Sequence, residues 1–467
     1  MKQLILHPLV FTLLVLASIV YFIISYQLIS RNLKWAKIIE KIFIISSMLI
    51  IGGMTIKFTG RFHPQAFYVP GQRFSYILMA LSFYAPFFVL LLPRFRYTLR
   101  SYISALITFL KANPFFCIFI LFRLIASILS ATPEHTFKAT IILLIVTVCF
   151  IYVGKQYSMK GLFDLLLWHH VIALLLSLFF GRDSNWKGIY IHKNIFGFTM
   201  DLAAILLYLQ SIRVPRYKAL FLALSALAVF CALQSNSGMA KVLLIILIFL
   251  LVFLRFLRQL PPRLAFASMG IFLAIGISLV ILISENAEYL IVEKLGKDMT
   301  LTGRTYIWRE VIKAVNKHPW FGYGYEGFWQ FWRGLDNPAL MLRFPEFNGF
   351  MPEQSHNGYL EIALEVGWIG LALFIASLLI SVYYGVLHLT RSQDPESVLP
   401  LLIFTYIIMT NVTESGINYI SMTWILYVFM ATRLSLNTLD KPSMNLNIQK
   451  PIVRKSKLPF TRTSIRD

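Results

Sequence analysis

The sequence predicts an all-α polytopic membrane protein with about 11–13 transmembrane helices and one large, partly helical outer loop. Of the 467 residues, 58% are apolar and the mean hydropathy is +0.71. Charged residues make up only 14%, whereas a soluble protein carries about a quarter. Apolar runs of roughly 17–25 residues recur along the chain, which is the length that a helix needs to cross a bilayer.

Thirteen runs can be placed as spans, although 11 or 12 are also compatible with the pattern because charges interrupt the early runs. The run that starts at Leu9 is long enough to span and no small-residue cleavage site follows it, so we expect it to be retained. The stretch 101–112 could be interfacial instead of a simple connector. The predicted spans lie near residues 9–29, 38–57, 74–93, 113–130, 138–154, 161–180, 194–211, 217–233, 238–254, 265–284, 359–387, 398–413 and 417–434.

The net charge of +22 follows the membrane topology. Lys and Arg cluster in alternate connections, at 31–41, 94–100, 213–218 and 255–263, and in the tail at 454–466. By the positive-inside rule these segments are cytoplasmic. Orientation and contact with anionic lipids therefore account for the basicity, and we expect no nucleic-acid partner.

This topology divides the chain into four regions. They are an N-terminal transmembrane bundle (1–284), a large periplasmic loop (285–358), C-terminal transmembrane helices (359–435) and a disordered basic cytoplasmic tail (436–467).

The large loop begins with an amphipathic helix and continues with an aromatic segment. Apolar residues recur at helical spacing from Ile307 to Val315 after Thr302-Gly303, and His318-Pro319 ends the pattern. In 320–332, three glycines alternate with Trp, Tyr and Phe. The aromatic rings could stack on sugars, or they could rest at the bilayer interface as an aromatic belt.

Polar segments that are distant in sequence are predicted to meet at the outer face. They lie at 186–194, 234–238, 304, 355–357 and 411–415. Ionisable groups at helix ends on one membrane face indicate a functional site. The alternative is that they are interfacial residues whose charged ends reach the headgroups.

The types of residue at this face suit an anionic substrate and proton transfer. Arginine or lysine near a helix N-terminus favours phosphate, because the first amide groups and the helix dipole also attract anions. His356 precedes the span that starts near Tyr359, and a histidine there can accept a proton from a hydroxyl at neutral pH. Glu361 and Glu365 could orient His356 or a loop cation, although Glu365 is better placed to brace the helix top.

Several common catalytic patterns are missing from the sequence. It has no G-x-x-x-x-G-K-[ST] loop, no Asp-x-Asp pair and no H-E-x-x-H motif. The three cysteines lie within apolar spans and indicate neither disulfides nor a metal site. We therefore expect a transfer from an already activated lipid donor, without metal or cofactor.

Four motifs in series resemble those of bacterial O-antigen ligase/polymerase-like membrane proteins, and together they cover roughly residues 185–420. The motifs are WKGI with HKNIFG at 186–197, TGRTxxW with HPxxGxG at 302–324, SHNxxLxxxxExGxxG at 355–370, and NxTES at 411–415.

The resemblance implies a metal-independent, inverting glycosyltransferase of the GT-C type in the bacterial inner membrane. Its donor would be a glycan on undecaprenyl pyrophosphate at the periplasmic face. Its acceptor would be lipid A–core for a ligase, a second lipid-linked repeat for a polymerase, or occasionally protein. By motif, His356 would be the base and Arg304 would hold the pyrophosphate, with Lys193 adding charge nearby.

Further substrate-binding residues are expected around these groups, and one position departs from the family. The family often has Arg or Lys at the position of Gly238. Lys241 could replace that cation because residues i and i+3 share a helix face, and the departure slightly favours a polymerase or a divergent member over a standard ligase. The other expected substrate-binding residues are His192, Asn194, Ser237, Trp308, Asn357 and Glu414.

A permease for an anion or a lipid-linked glycan is the alternative function. The many spans and the cationic outer face favour it. The long loop with its motifs argues against it, and so does the expected lack of an acidic relay inside the membrane, since Glu285, Glu361 and Glu365 are all expected near the surface.

Overall fold

The computed structural model describes residues 33–53, 95–180, 186–190, 192–295, 304–343 and 351–439, together with Ile23. In these ranges all regular elements are helices. Apart from Ile23, the predicted spans near 9–29 and 74–93 lie outside the described residues, as does the tail beyond Leu439.

Thirteen α-helices occur in the described part of the chain. They are α1 (Leu33–Ile51), α2 (Phe95–Ala112), α3 (Pro114–Ile128), α4 (Pro133–Gln156), α5 (Met159–Phe180), α6 (Lys193–Arg213), α7 (Lys218–Gln234), α8 (Gly238–Leu257), α9 (Pro262–Leu295), α10 (Arg304–Lys317), α11 (Gly358–Arg391), α12 (Leu399–Thr413) and α13 (Met422–Leu439). Short 3-10 turns lie at Pro215–Tyr217, Phe331–Asp336, Pro338–Leu342, Pro395–Val398 and Gly416–Asn418.

Among the described residues, eight helices are long and apolar enough to cross a membrane: α4 to α9, α11 and α12. The pair α2–α3 adds a ninth if its two bent halves are counted as one span. This architecture confirms the predicted class, an all-α polytopic membrane protein.

The predicted span at 113–130 corresponds to α3, which forms a bent pair with α2. The axes of α2 and α3 differ by 98°, and α3 has only 15 residues, about 22 Å, which is shorter than the hydrocarbon core. The bend follows from Pro114, which cannot continue a helix, and from Asn113, which accepts a hydrogen bond from the amide of Phe116 as N-cap. Asn113 also donates to the Ser377 carbonyl on α11 (3.1 Å), so the bend is fixed against the bundle.

Several predicted boundaries differ from the structure. Helix α9 continues to Leu295, so the expected loop boundary at 285 falls inside a helix. Helix α13 starts at Met422 and not near 417, because a 3-10 turn occupies Gly416–Asn418. The amide of Ile417 in that turn donates to the side chain of Asn411 (2.6 Å).

The predicted span 359–387 is one helix with a break at Val366–Gly367. Three backbone hydrogen bonds of 2.8–2.9 Å join residues 319–324 to residues 364–368 at the break. Gly322 and Gly367 have φ angles of +64° and +66°. A Cβ on Gly322 would overlap the backbone of residues 364–366, and a Cβ on Gly367 would overlap the backbone of residues 319–320. We call these residues (319–324 with 364–368) the loop clip, since they fasten the long loop to α11.

The amphipathic helix predicted in the loop is present as α10. Ile307, Val311 and Val315 are buried against α11, as their spacing predicts. Ile312, which the pattern also placed on the apolar face, is 39% exposed. The loop clip and α10 together hold the start of the long loop beside the N-terminal end of α11.

Candidate functional site

The carboxylate of Glu414 brings together three segments that are far apart in sequence. It follows directly after α12, at the end of the bundle where α6 and α11 begin. Asn194 Nδ2 donates to its Oε1 (2.6 Å), and Arg304 Nη2 donates to the same oxygen (3.1 Å). His356 Nδ1 lies 3.6 Å from its Oε2. The structure thus assembles His356, Arg304, Asn194 and Glu414, all of which the sequence singled out.

The site is partly open to solvent. The side chains of Arg304, Glu414 and His356 are 20%, 19% and 32% exposed. Burial alone would raise the pKa of Glu414, but the neighbouring His356 and Arg304 outweigh it and lower this pKa to about 2. Glu414 is therefore ionised at neutral pH and acts only as an acceptor.

The first turn of α6 adds polar groups beside this carboxylate. His192 is the N-cap, and its Nδ1 accepts a hydrogen bond from the amide of Asn194 (3.3 Å). Desolvation lowers the pKa of His192, while the charge of Glu414 acts in the opposite direction. Lys193 is the first residue of α6 and, like Arg304, lies within electrostatic range of His192. The amide groups at this helix start also favour an anion nearby.

The turn that carries His356 is tightly built. Asn357 caps α11 by accepting hydrogen bonds from the amides of Tyr359 (3.0 Å) and Leu360 (3.1 Å). Its Nδ2 donates to the Val412 carbonyl (3.2 Å), which joins the turn to α12. The predicted substrate contact of Asn357 remains a prediction, and its side chain already serves the helix start.

The structure assigns a similar capping role to Ser237. Its hydroxyl is buried and accepts a hydrogen bond from the amide of Ala240 (3.2 Å) at the start of α8. Lys241 is exposed, and within the described part of the chain its side chain makes no hydrogen bond or ion pair. A Cβ added at Gly238 would meet no other atom within 4 Å, so a larger side chain would fit there. A phosphate contact of Lys241 stays a prediction.

Trp308 and Glu361 meet the backbone beside His356. Trp308 Nε1 donates to the Ser355 carbonyl (3.1 Å), and the Ser355 amide donates to Glu361 Oε2 (2.9 Å). In the aromatic segment 320–332, Tyr325 and Phe328 are buried, whereas Trp320 is 64% exposed. Stacking on sugars and a place at the bilayer interface both remain predictions.

A buried arginine that the sequence reading did not single out lies below this site. Arg123 on α3 is fully buried, pairs with Glu365 and donates to Asn418 Oδ1 (2.8 Å). Its guanidinium lies 4.2 Å from the ring centroid of Tyr325. The signal was present, because an arginine inside an apolar run needs a partner. Glu365 therefore braces the helix top, as expected.

Two observations concern the buried acidic residues. Glu361 and Glu365 are 1% and 2% exposed because donors from the long loop and α3 surround them. Their place near the membrane surface remains a prediction. Asp201 lies fully buried within α6, so the bundle does contain an acid. Its carboxylate has no hydrogen-bond partner among the described residues, and so the structure gives no continuous acidic pathway.

Within the described ranges, no group of three or more His, Cys, Asp or Glu side chains is placed to hold a metal ion. Metal independence itself remains a prediction.

Comparison with known proteins agrees with the motifs. Residues 220–375 match the model of the O-Antigen ligase family (Wzy_C), a range that includes Arg304 and His356. The chain is also 28% identical over 334 residues to the exopolysaccharide production protein ExoQ of Rhizobium meliloti (strain 1021), which covers 68% of this chain and 74% of the relative. The chain is thus a multi-pass membrane protein that is similar to the O-antigen ligase family over residues 220–375.

Proposed function

We propose that this protein is a membrane glycosyltransferase that moves a glycan from undecaprenyl pyrophosphate to a saccharide hydroxyl. The family match and the exopolysaccharide relative support a glycan-processing function of ligase or polymerase type. The observation that carries the proposal is the shared carboxylate of Glu414. It holds an imidazole and a guanidinium beside one another in a partly open site.

His356 is the general base of the proposed reaction. A neutral imidazole whose Nδ1–H faces Glu414 has Nε2 free to accept a proton. Nε2 takes the proton of the acceptor hydroxyl, and that oxygen forms a bond to the anomeric carbon of the donor. The bond from this carbon to the pyrophosphate oxygen breaks, and its electron pair leaves on the pyrophosphate. Attack opposite the leaving group inverts the anomeric centre.

Arg304 stabilises the departing pyrophosphate. A guanidinium has five N–H donors, and the contacts with Glu414 use only part of them. Lys193 and the amide groups at the start of α6 add positive potential on the same side. Electrostatic stabilisation of a leaving group by one such donor is typically worth about 10²–10³ in rate.

The remaining details belong to the same proposal. The fold would be of the GT-C type, the site would face the periplasm from the inner membrane, and no metal would take part. Chain growth by a polymerase is favoured over transfer to lipid A–core, since glycine replaces the family cation at position 238 and the relative acts in exopolysaccharide production.

The experiment is to incubate the purified protein with a lipid-linked repeat unit alone and to resolve glycan length on a gel. A ladder that is lost in His356→Ala supports a polymerase. If no ladder forms, lipid A–core is added, and transfer to it identifies a ligase. Flux of the lipid-linked glycan across vesicles, with no covalent product under either condition, would contradict the proposal and favour the permease.

A further inference from the structure

Ser355, the residue before His356, is held from both sides. Its amide donates to Glu361 Oε2 (2.9 Å), and its carbonyl accepts from Trp308 Nε1 (3.1 Å). The hydroxyl of Ser355 spans the histidine, since it donates to the Asn357 carbonyl (2.8 Å) and accepts from the Asn357 amide (3.2 Å). Ser355 is fully buried, so water cannot replace these partners without opening the turn.

The backbone of His356 needs such restraint. Its φ is +51°, in the left-handed region where a residue with a β-carbon is disfavoured by about 1–2 kcal/mol. A strained conformation persists only where the surroundings fix it. Relaxation of this φ would move the imidazole of His356 away from Glu414, whose Oε2 lies 3.6 Å from Nδ1.

Glu361 is itself fixed by the long loop. It is 1% exposed, and its second oxygen accepts from Tyr419 Oη (3.0 Å) and from Trp329 Nε1. Its three donors, the Tyr419 hydroxyl, the Trp329 indole and the Ser355 amide, are neutral groups and together determine the plane of the carboxylate. One carboxylate oxygen therefore binds the backbone of the turn, and the other is occupied by Tyr419 and Trp329.

Helix α10 connects this restraint to the anion-binding group. Arg304 and Trp308 are four residues apart on α10 and so lie on one face of the helix. One side chain contacts Glu414 and the other contacts Ser355. A single rigid element thus places the guanidinium and the histidine turn relative to each other.

We infer that Trp308 and Glu361 are positioning residues that hold the imidazole of His356 against Glu414, so that the Trp308 indole acts through the base and not as a sugar platform. This inference rests on the proposed function, in which His356 is the base. Trp308→Phe removes the indole N–H and keeps an aromatic ring. In either orientation of its side-chain amide, Glu361→Gln points an NH₂ group at a donor, which is the Ser355 amide in one case and the Tyr419 and Trp329 donors in the other.

The test measures kcat and donor KM for Trp308→Phe and Glu361→Gln, with Trp368→Phe as the matched control. Trp368 Nε1 on α11 donates to Asn316 Oδ1 on α10 (3.1 Å), so the control also removes an indole N–H bond made with α10, but away from the histidine turn. We expect kcat to fall about 10- to 100-fold in the two test variants with KM within about threefold, because Arg304 is retained. The control should keep wild-type kcat.

The substitutions are then repeated in the His356→Ala background. A positioning residue has nothing left to position there, so Trp308→Phe should not lower the residual rate further. Wild-type kcat in Trp308→Phe, or an undiminished effect in the His356→Ala background, would overturn the inference. Full transfer by His356→Ala alone would instead overturn the proposed function. Trp308→Phe keeps the test decisive if Glu361→Gln does not fold.

Discussion

Two arginine–glutamate pairs lie at the start of α11, and they differ mainly in access to solvent. In the pair Arg304–Glu414 the side chains are 20% and 19% exposed, and His356 and Asn194 share the carboxylate. In the pair Arg123–Glu365 they are 1% and 3% exposed, and the guanidinium is covered by Tyr325. A ligand can reach the first pair, whereas it could reach the second only by unpacking the bundle.

This difference separates chemistry from architecture in a region rich in charge. A buried ion pair is costly to break, because removal of one partner leaves an uncompensated charge. Such a pair fixes α3 against α11, and its burial keeps the remaining guanidinium donors of Arg123 out of reach of a substrate. An accessible pair can exchange a partner for a phosphate at small cost, since exposed ion pairs contribute little to stability. Access, and not the residue types alone, therefore identifies Glu414 as the centre of the site.

The largest expected effect is at His356, the group that only the open pair has. His356→Ala and His356→Gly should both lower transfer by about 10²–10⁴, because each removes the base. Their stabilities should differ, since glycine accepts the φ of +51° and alanine does not: the glycine variant should be more stable by about 1 kcal/mol. Product formation and thermal unfolding in detergent measure the two effects. Equal stability of both variants would show that the turn is not strained.

The next effect is on stability and concerns the closed pair. Arg123→Met leaves the Glu365 carboxylate buried without its partner, so we expect a loss of about 3–5 kcal/mol in the free energy of unfolding. Adding Glu365→Met should restore much of it, because no buried charge then remains. Arg304→Met is the control in the open pair and should cost less than about 1 kcal/mol. A small loss in Arg123→Met, comparable to the control, would remove the distinction between the pairs.

Within the open pair, Arg304 can be divided into charge and geometry. Arg304→Ala should lower transfer about 10²–10³-fold, since the leaving group loses its cation. Arg304→Lys keeps the charge but not the planar fork, so its rate should fall between those of the wild type and the alanine variant. Initial rates at saturating acceptor give the comparison. A lysine variant as slow as the alanine variant would show that fork geometry, and not charge, is required.

The low pKa of Glu414, about 2, has a consequence at acid pH. The ordinary value is 4.5, so the folded state binds this proton more weakly than the unfolded state does. The stabilisation is complete above pH 4.5 and is lost as pH falls from 4.5 towards 2. Glu414→Gln should therefore show a smaller loss of melting temperature between those two pH values than the wild type. Identical acid sensitivity of the two proteins would contradict the pairing of Glu414 with Arg304 and His356.

Local patterns in the sequence could predict the helices but not their partners. The spacing of Ile307, Val311 and Val315 is a local property, and α10 follows it. The break at Gly367 depends on residues 319–324, which reach it only in the folded bundle. The partner of Arg123 is 242 residues away, and no local periodicity encodes such a pairing.

The site followed the same rule. His356 was recognisable because its motif stands directly before a helix, where a polar capping residue is expected. The shared carboxylate was not recognisable in that way, because the three contacts of Glu414 come from α6, α10 and the turn before α11. Only the meeting of those elements converts a plausible binding residue into the centre of the arrangement.

The smallest expected effect is at Ser237, which tests whether a polar residue near the open pair belongs to it. Its hydroxyl is buried and caps α8 through the amide of Ala240, so Ser237→Ala should lower stability by about 1 kcal/mol. Transfer, measured below the melting temperatures of both proteins, should stay within about twofold of wild type, because we expect the capping hydroxyl to make no contact with substrate. Ser237→Thr, which keeps the hydroxyl, should recover most of the stability. A large fall in transfer for the alanine variant, with no such recovery in the threonine variant, would instead extend the accessible site from Glu414 to the start of α8.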